Sequence, residues 1–276
     1  MTTATVSANP NKALWEKGDF TRIAQTMRAS GDALIDYLGV RPGTSVLDLG
    51  CGDGTTALPS ARRGADVLGV DIATNLVTAG TERAAAEGLT NLRFEEGDAS
   101  HLDRLADDSF DLVVSIFGAM FAPRPTDVAR EMVRVTRPGG RIVMGNWIPG
   151  DPTLVAQILK TAGSYSPPPP EGFVSPMTWG LEDEVLSRFG AAGVDAGSVT
   201  FERRGFRFEL DEPPTEFLRL FRDYYGPTMN AYAAAEADGR VDELHAELLE
   251  LFAAQNEGGP DRTAITATYL LVTATK

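Results

Sequence analysis

The sequence predicts a doubly wound α/β fold: a sheet of seven strands flanked by helices, with a helical insertion before the last strand. Three observations predict it. Short apolar runs near 45–50, 66–71, 91–95, 110–116 and 140–147 alternate with amphipathic stretches, the pattern of strand–helix units joined by right-handed crossovers. Several of these runs end in glycine or a carboxylate. Two longer alternating runs, Val199 to Leu210 and Ala264 to Thr275, are separated by about fifty residues, where a hairpin needs about two to five.

Residues 11–38 carry Ile23, Met27, Ala33, Leu34, Tyr37 and Leu38 at helical spacing and read as one or two amphipathic helices. Trp15-Glu16-Lys17-Gly18-Asp19-Phe20 interrupts them with a glycine and places two aromatics around a polar turn. Residues 1–39 are therefore expected to form a helical flap, with Trp15 and Phe20 covering a site beneath it. The first strand, Val46-Leu47-Asp48-Leu49, runs into Gly50-Cys51-Gly52-Asp53-Gly54. Three glycines allow positive φ and let a ligand approach bare backbone. Thr55 to Arg63 reads as a short helix with Pro59 in its first turn and Gly64 at its end.

The second strand, Val67-Leu68-Gly69-Val70, closes on Asp71 about twenty residues after the first strand, the spacing at which nucleotide-binding units place a ribose carboxylate. A helix near 74–87 leads to Leu92-Arg93-Phe94-Glu95-Glu96-Gly97-Asp98-Ala99, a third strand that ends in Gly-Asp. A bound nucleoside follows from acids at successive strand ends. A dinucleotide is disfavoured, because its fingerprint needs Gly or Ala three residues after the second glycine and Thr55 stands there.

Asp111-Leu112-Val113-Val114-Ser115 forms the fourth strand, and a helix near 125–136 precedes the turn and fifth strand Arg137-Pro138-Gly139-Gly140-Arg141-Ile142-Val143-Met144. With these residues in order, the chain resembles the class I S-adenosylmethionine-dependent methyltransferases over most of 40–150. That resemblance implies a mostly parallel sheet with an antiparallel last strand. It also implies S-adenosyl-L-methionine as cofactor and S-adenosyl-L-homocysteine as product. Asp48, Gly50, Cys51, Gly52 and Gly54 would lie along the methionine part, Asp71 and Ile72 at the ribose, and Asp98 with Ala99 at the adenine. Ser115 and Phe117, with Trp15 and Phe20 of the flap, complete the expected cofactor set.

Beyond residue 150, Asp151 to Ala162 reads as helix, Ser166-Pro167-Pro168-Pro169-Pro170 as an extended connector, and Leu181 to Ala192 as a sheet-covering helix. The domain is expected to span 40–210 and 263–276, with 211–262 inserted as a helical cap. In the cap, Pro213-Pro214 opens one helix, Tyr224-Tyr225-Gly226-Pro227 breaks it, and Val241 to Ala254 forms another. Tyr225-Gly226-Pro227-Thr228 and Tyr269 to Ala274 also resemble a group of uncharacterised actinobacterial methyltransferases with the same insertion.

The acceptor pocket is expected past the ends of the fourth and fifth strands. Its candidates are Met120, Phe121, Trp147, Trp179, Tyr224 and Tyr225, a set that favours a small apolar or aromatic acceptor. Of the two histidines, His101 follows the adenine-reading turn and is the candidate base, while His245 sits among leucines. Neither stands beside a second catalytic group in sequence, so catalysis by positioning is expected. No metal ligands are assigned.

A net charge of −14 and a pI near 4.6 oppose a polyphosphate partner. Small molecules are the expected acceptors, with neither nucleic acid nor membrane as partner. One cysteine excludes a disulfide framework, and Met1 to Thr5 lacks signal-peptide character, so a cytoplasmic location is expected. Two other functions fit parts of the pattern: a noncatalytic S-adenosylmethionine-binding regulator or partner subunit, and an NAD(P)-dependent reductase.

Overall fold

The computed structural model describes residue 9 and residues 11–276; the rest of the expected flap, residues 1–8 and 10, lies outside them. Three helices, not one or two, precede the sheet: α1 (Asn11–Glu16), α2 (Thr21–Gln25) and α3 (Arg28–Leu38). Local hydrogen bonding explains the extra division. Asp19 Oδ1 accepts from the Thr21 amide at 3.2 Å, so the chain turns after Gly18 and restarts as α2.

Strand β1 (Ser45–Leu49) is followed by α4 (Ala57–Arg62), β2 (Asp66–Asp71), α5 (Thr74–Ala86), β3 (Leu92–Glu96), β4 (Phe110–Ile116), α6 (Pro125–Val135) and β5 (Thr136–Trp147). Leu47, Val113 and Val143 at the centre are fully buried, as expected for parallel strands covered on both faces. Helix α6 shows how the cover is made. Val128, Ala129 and Met132 face inward, Pro125 occupies the first turn, and Asp127 lies there beside the positive end of the helix dipole.

The fifth strand begins at Thr136, ahead of the expected 140. Thr136 pairs with Phe110, but the next pair is Arg141 with Leu112. The intervening Arg137-Pro138-Gly139-Gly140 bulges out, because Pro138 has no amide to give the ladder and Gly139 turns at φ +77°. The helix expected at 151–162 starts late, as α7 (Leu154–Tyr165), since Asp151 Oδ1 accepts from the Thr153 amide at 2.9 Å and holds a turn there.

Helix α8 (Glu182–Ala191), β6 (Val199–Leu210), α9 (Pro214–Tyr224), α10 (Gly226–Ala237), α11 (Val241–Gln255) and β7 (Thr263–Thr275) complete the chain. The sheet order is β3-β2-β1-β4-β5-β7-β6, and β7 runs antiparallel to both its neighbours. The expected seven-stranded, doubly wound sheet is present. The insertion holds one helix more than expected, because Pro227 near the start of α10 opens a helix as readily as it ends one. Edge strand β6 is covered by α3, whose Ser30 hydroxyl accepts from the Arg207 amide and donates to its carbonyl, satisfying groups that would otherwise template aggregation.

The N-terminal segment and the inserted helices interlock. A Cβ on Gly18 would stand 2.8 Å from the Tyr224 carbonyl carbon, and one on Gly226 would stand 2.6 Å from the Leu14 oxygen. The two segments therefore pack backbone to backbone at these glycines. Among the described residues no helix is long and apolar enough to cross a membrane.

Candidate active site

Strand order reverses between β1 and β4, and ligands of open α/β sheets bind at such a switch point. The loops leaving these two strands touch through glycines: a Cβ on Gly118 would lie 2.7 Å from the Gly50 Cα. Ser115 fastens the contact, its hydroxyl donating to the Leu49 carbonyl at 2.6 Å and accepting from the Ala119 amide at 2.9 Å. Between these residues Phe117 takes φ +58°, a conformation costing a bulky side chain about 1–3 kcal/mol. The twist lays its ring on Trp147, with centroids 3.7 Å apart and planes within 8°.

A cavity of about 920 Å³ opens over these strand ends. Gly50, Cys51 and Gly52 line it from β1, Asp71 and Ile72 from β2, Asp98 and Ala99 beyond β3, Phe117 from β4, and Trp15 and Phe20 from above. A Cβ on Gly52 (φ +54°) would meet no protein atom within 4 Å, so bare backbone faces the void. A second cavity of about 330 Å³ shares Trp15, Phe20, Met27, Phe117 and Phe121 with the first. Its remaining wall is Ile23, Trp147, Val155, Phe208, Phe221 and Tyr225, without a charged side chain.

Burial dominates the electrostatics of the strand ends. Asp71 accepts from the Gly52 amide at 2.8 Å and the Ala73 amide at 2.9 Å; burial raises its pKa while these bonds oppose the rise. A carboxylate offers about four acceptor sites, so Asp71 keeps capacity for a further donor. Asp48 is pushed up to about 7, chiefly by burial and further by the Asp71 charge, against a hydrogen bond from Thr56. The Cys51 thiol is held well above its ordinary range by burial and then by Asp71 and Asp48. It is not a thiolate nucleophile.

The N-terminal segment is latched across the mouth. Asn9 donates to Asp98 Oδ2 at 3.1 Å, and Asn11 donates to the Phe121 carbonyl. The Lys12 ammonium lies 2.9 Å from the Ile72 carbonyl and 2.8 Å from the Thr74 hydroxyl and the Glu96 carboxylate. Trp15 stands edge-on to Phe121 and Phe20, with centroids at 5.0 and 5.7 Å.

Seven sequence candidates, His101 among them, lie outside both cavity walls. Asp48 is sealed in the core beside Thr56. Gly54 is required by its φ of +91° and by the Leu58 and Phe94 side chains packed against it. Ser115 is spent on the loop contact described above. Met120 is core, and Trp179 is buried against Phe189 with the Arg188 guanidinium 4.6 Å over its ring. Tyr224 gives its backbone to Gly18, and only the next residue, Tyr225, reaches the chamber. His101 also lies outside, half exposed and 2.8 Å from Asp103, while His245 bonds the Tyr232 hydroxyl within the insertion. Neither histidine lines either of these two cavities.

The sequence reading did not assign Asn9, Asn11, Met27, Asp53, Thr55 or Phe206 to the cavity that they line. For Asp53 and Thr55 a signal was present, since both belong to the glycine loop. The asparagines sit in a polar stretch with no local marker.

Comparison with known proteins agrees with this geometry. A family model described as a methyltransferase domain matches residues 47–144. The uncharacterized protein Rv1403c of Mycobacterium tuberculosis is 36% identical over 250 residues, covering 88% of this chain and 87% of that one. The demethylmenaquinone methyltransferase of Beutenbergia cavernae is 42% identical over 115 residues, covering 42% of this chain and 45% of that protein. Among solved structures, the YcgJ protein of Bacillus subtilis superposes with a TM-score of 0.58 at 20% identity, covering 90% of this chain and 98% of the other.

Proposed function

Because this chain belongs to the class I S-adenosylmethionine-dependent methyltransferases, we propose that it methylates a small, flat, apolar or aromatic acceptor held in the aromatic chamber. The observation that carries this reading is the chamber itself: a wall of aromatic and aliphatic side chains without a charge, adjoining the glycine-lined cavity across five shared residues. An ionic acceptor would lose its hydration there without recompense.

The residues of the larger cavity suit the cofactor chemically. Bare backbone at Gly50 and Gly52 leaves room for the methionine part. The free lone pairs of Asp71 suit ribose hydroxyls, and Asp98 with the Ala99 backbone suits an adenine edge. Bound S-adenosylmethionine supplies a methyl carbon on a sulfonium, open to in-line attack with the thioether sulfur as leaving group. The chain's part is to align and to exclude water. Phe117 belongs to both walls and fixes the border between them, and Trp15 and Phe20 cover both cavities. Alignment of this kind is worth about 7–11 kcal/mol in well-oriented reactions. With no histidine or cysteine thiolate at the chamber, the acceptor that fits best is nucleophilic without proton removal by the protein. The acidic surface favours a small molecule over nucleic acid, and a cytoplasmic setting accords with the single cysteine.

The test is calorimetry with S-adenosylhomocysteine and with NAD, followed by transfer of labelled methyl to a panel of phenols, amines, thiols and acids. Binding of the former and transfer to neutral aromatic members are expected. Cofactor binding with no transfer to any member would favour a regulator, and binding of NAD alone would sink the assignment.

A further inference from the structure

The geometry points to Tyr225 as the residue that orients the acceptor, by hydrogen bonding to a single oxygen on an otherwise flat and apolar molecule. This rests on reading the chamber as the acceptor site. Three wall side chains carry a nitrogen or oxygen: Trp15, Trp147 and Tyr225. None has a hydrogen-bond partner among the described residues, and none is fully enclosed as the Trp179 nitrogen is. The two indoles can only donate, whereas a phenol hydroxyl donates or accepts.

Tyr225 is also firmly placed. Its ring is wedged between Phe221, Trp15 and Phe20, with centroids at 5.2, 6.0 and 6.2 Å. Its backbone sits at the junction of α9 and α10, where Gly226 fits against the Leu14 carbonyl with no room for a side chain. The hydroxyl has no protein partner among the described residues and can bond a molecule that enters the chamber. Burial raises its pKa, so at neutral pH it remains a neutral phenol and serves to hold rather than to deprotonate. No carboxylate or imidazole lines the same cavity to compete for the acceptor. The acceptor class this selects is an aromatic compound of one or two rings bearing a hydroxyl or carbonyl oxygen, and Tyr225 is the positioning residue for that oxygen.

The experiment uses the full chain, titrated first with S-adenosylhomocysteine and then, in its presence, with 2-naphthol and naphthalene as probes. The parent chain is expected to bind 2-naphthol about tenfold more tightly than naphthalene, the discrimination one hydrogen bond supplies. Tyr225→Phe keeps the ring and is expected to keep the affinities for S-adenosylhomocysteine and naphthalene while the preference falls to about twofold. Trp147→Phe is expected to leave the preference within about threefold of the parent. A Tyr225→Phe chain that retains the tenfold preference overturns the proposal, as does a parent chain that binds S-adenosylhomocysteine yet shows no preference. A parent chain that binds no S-adenosylhomocysteine overturns the cofactor reading itself, and the proposal with it.

Discussion

Asp48 is a buried acid whose only side-chain donor is Thr56, and its second oxygen has no partner. Its carboxyl lies near 7 in the fold against 3.8 without it. At about 1.4 kcal/mol per factor of ten, ionising it in place costs at most about 4 kcal/mol. The folded-state value is the higher one, so stability is full below about pH 4 and is lost as pH rises toward 7. Asp48→Asn removes this dependence but leaves an amide N–H₂ where the unpaired oxygen stood, a cost of about 1–3 kcal/mol. The parent's loss is about 2 kcal/mol at pH 5.5 and about 4 kcal/mol at pH 8, whereas the cost of the amide does not change with pH. The variant should gain on the parent by about 2 kcal/mol between pH 5.5 and pH 8 and be the more stable chain at pH 8. Urea unfolding of both chains from pH 5.5 to 8 measures it, staying above the pI near 4.6. Acids held low by cations, such as Glu87 beside Arg62 and Glu131 beside Arg134, contribute equally to both chains and cancel. A stability difference that does not vary with pH would show that Asp48 is not neutralised by burial.

Three further outcomes are expected at the cofactor cavity. Asp71→Asn should weaken S-adenosylhomocysteine binding by about tenfold to a hundredfold, the worth of hydrogen bonds to a charged acceptor; unchanged affinity by calorimetry would remove the ribose role. Gly52→Ala adds a methyl group that meets no protein atom, so the variant should fold with a loss of about 1 kcal/mol for its positive φ yet bind the cofactor at least about tenfold less well. Parent-like affinity in stopped-flow titration would mean that the void beside Gly52 belongs to something else. Lys12→Ala cuts the latch to Ile72, Thr74 and Glu96 and should speed release of S-adenosylhomocysteine by about fivefold, the scale of partly exposed ion pairs. An unaltered release rate would show that the segment does not gate the cavity.

The parallel strands were legible because burial on both faces leaves them as unbroken apolar runs, and because the groups that end them, Gly50, Asp71 and Asp98, cannot be absorbed by a core. Side-chain direction within a turn is a different matter. Met120 and Phe121 are adjacent, large and apolar, and one helical turn sends the first into the core and the second onto the cavity wall. Tyr224 and Tyr225 divide in the same way, since α9 ends between them. Residue type misled at Trp179, where an aromatic in a proline-rich stretch suggested a pocket and Arg188 supplies a partner instead. The latch was invisible for a further reason: Asn9, Asn11 and Lys12 meet partners 60 to 110 residues away, and no local periodicity carries such pairings.

These failures share a physical cause that bears on what the protein does. In the proposed function, cofactor recognition rests on backbone conformation, which glycines and strand-end acids write into the sequence at fixed spacing. Acceptor recognition would rest on where bulky rings come to rest, and those positions are set by packing among α1, α2, α9 and the ends of β4 and β5. Phe117 joins the two regimes: its positive φ is fixed by the loop contact between Gly50 and Gly118, and its ring is fixed by Trp147. On that proposal, a change in the chamber would alter acceptor choice while the glycine loop continued to hold the cofactor, provided that Phe117 keeps its turn. Conversely, a side chain at Gly118 would press on Gly50 and disturb both cavities through one residue.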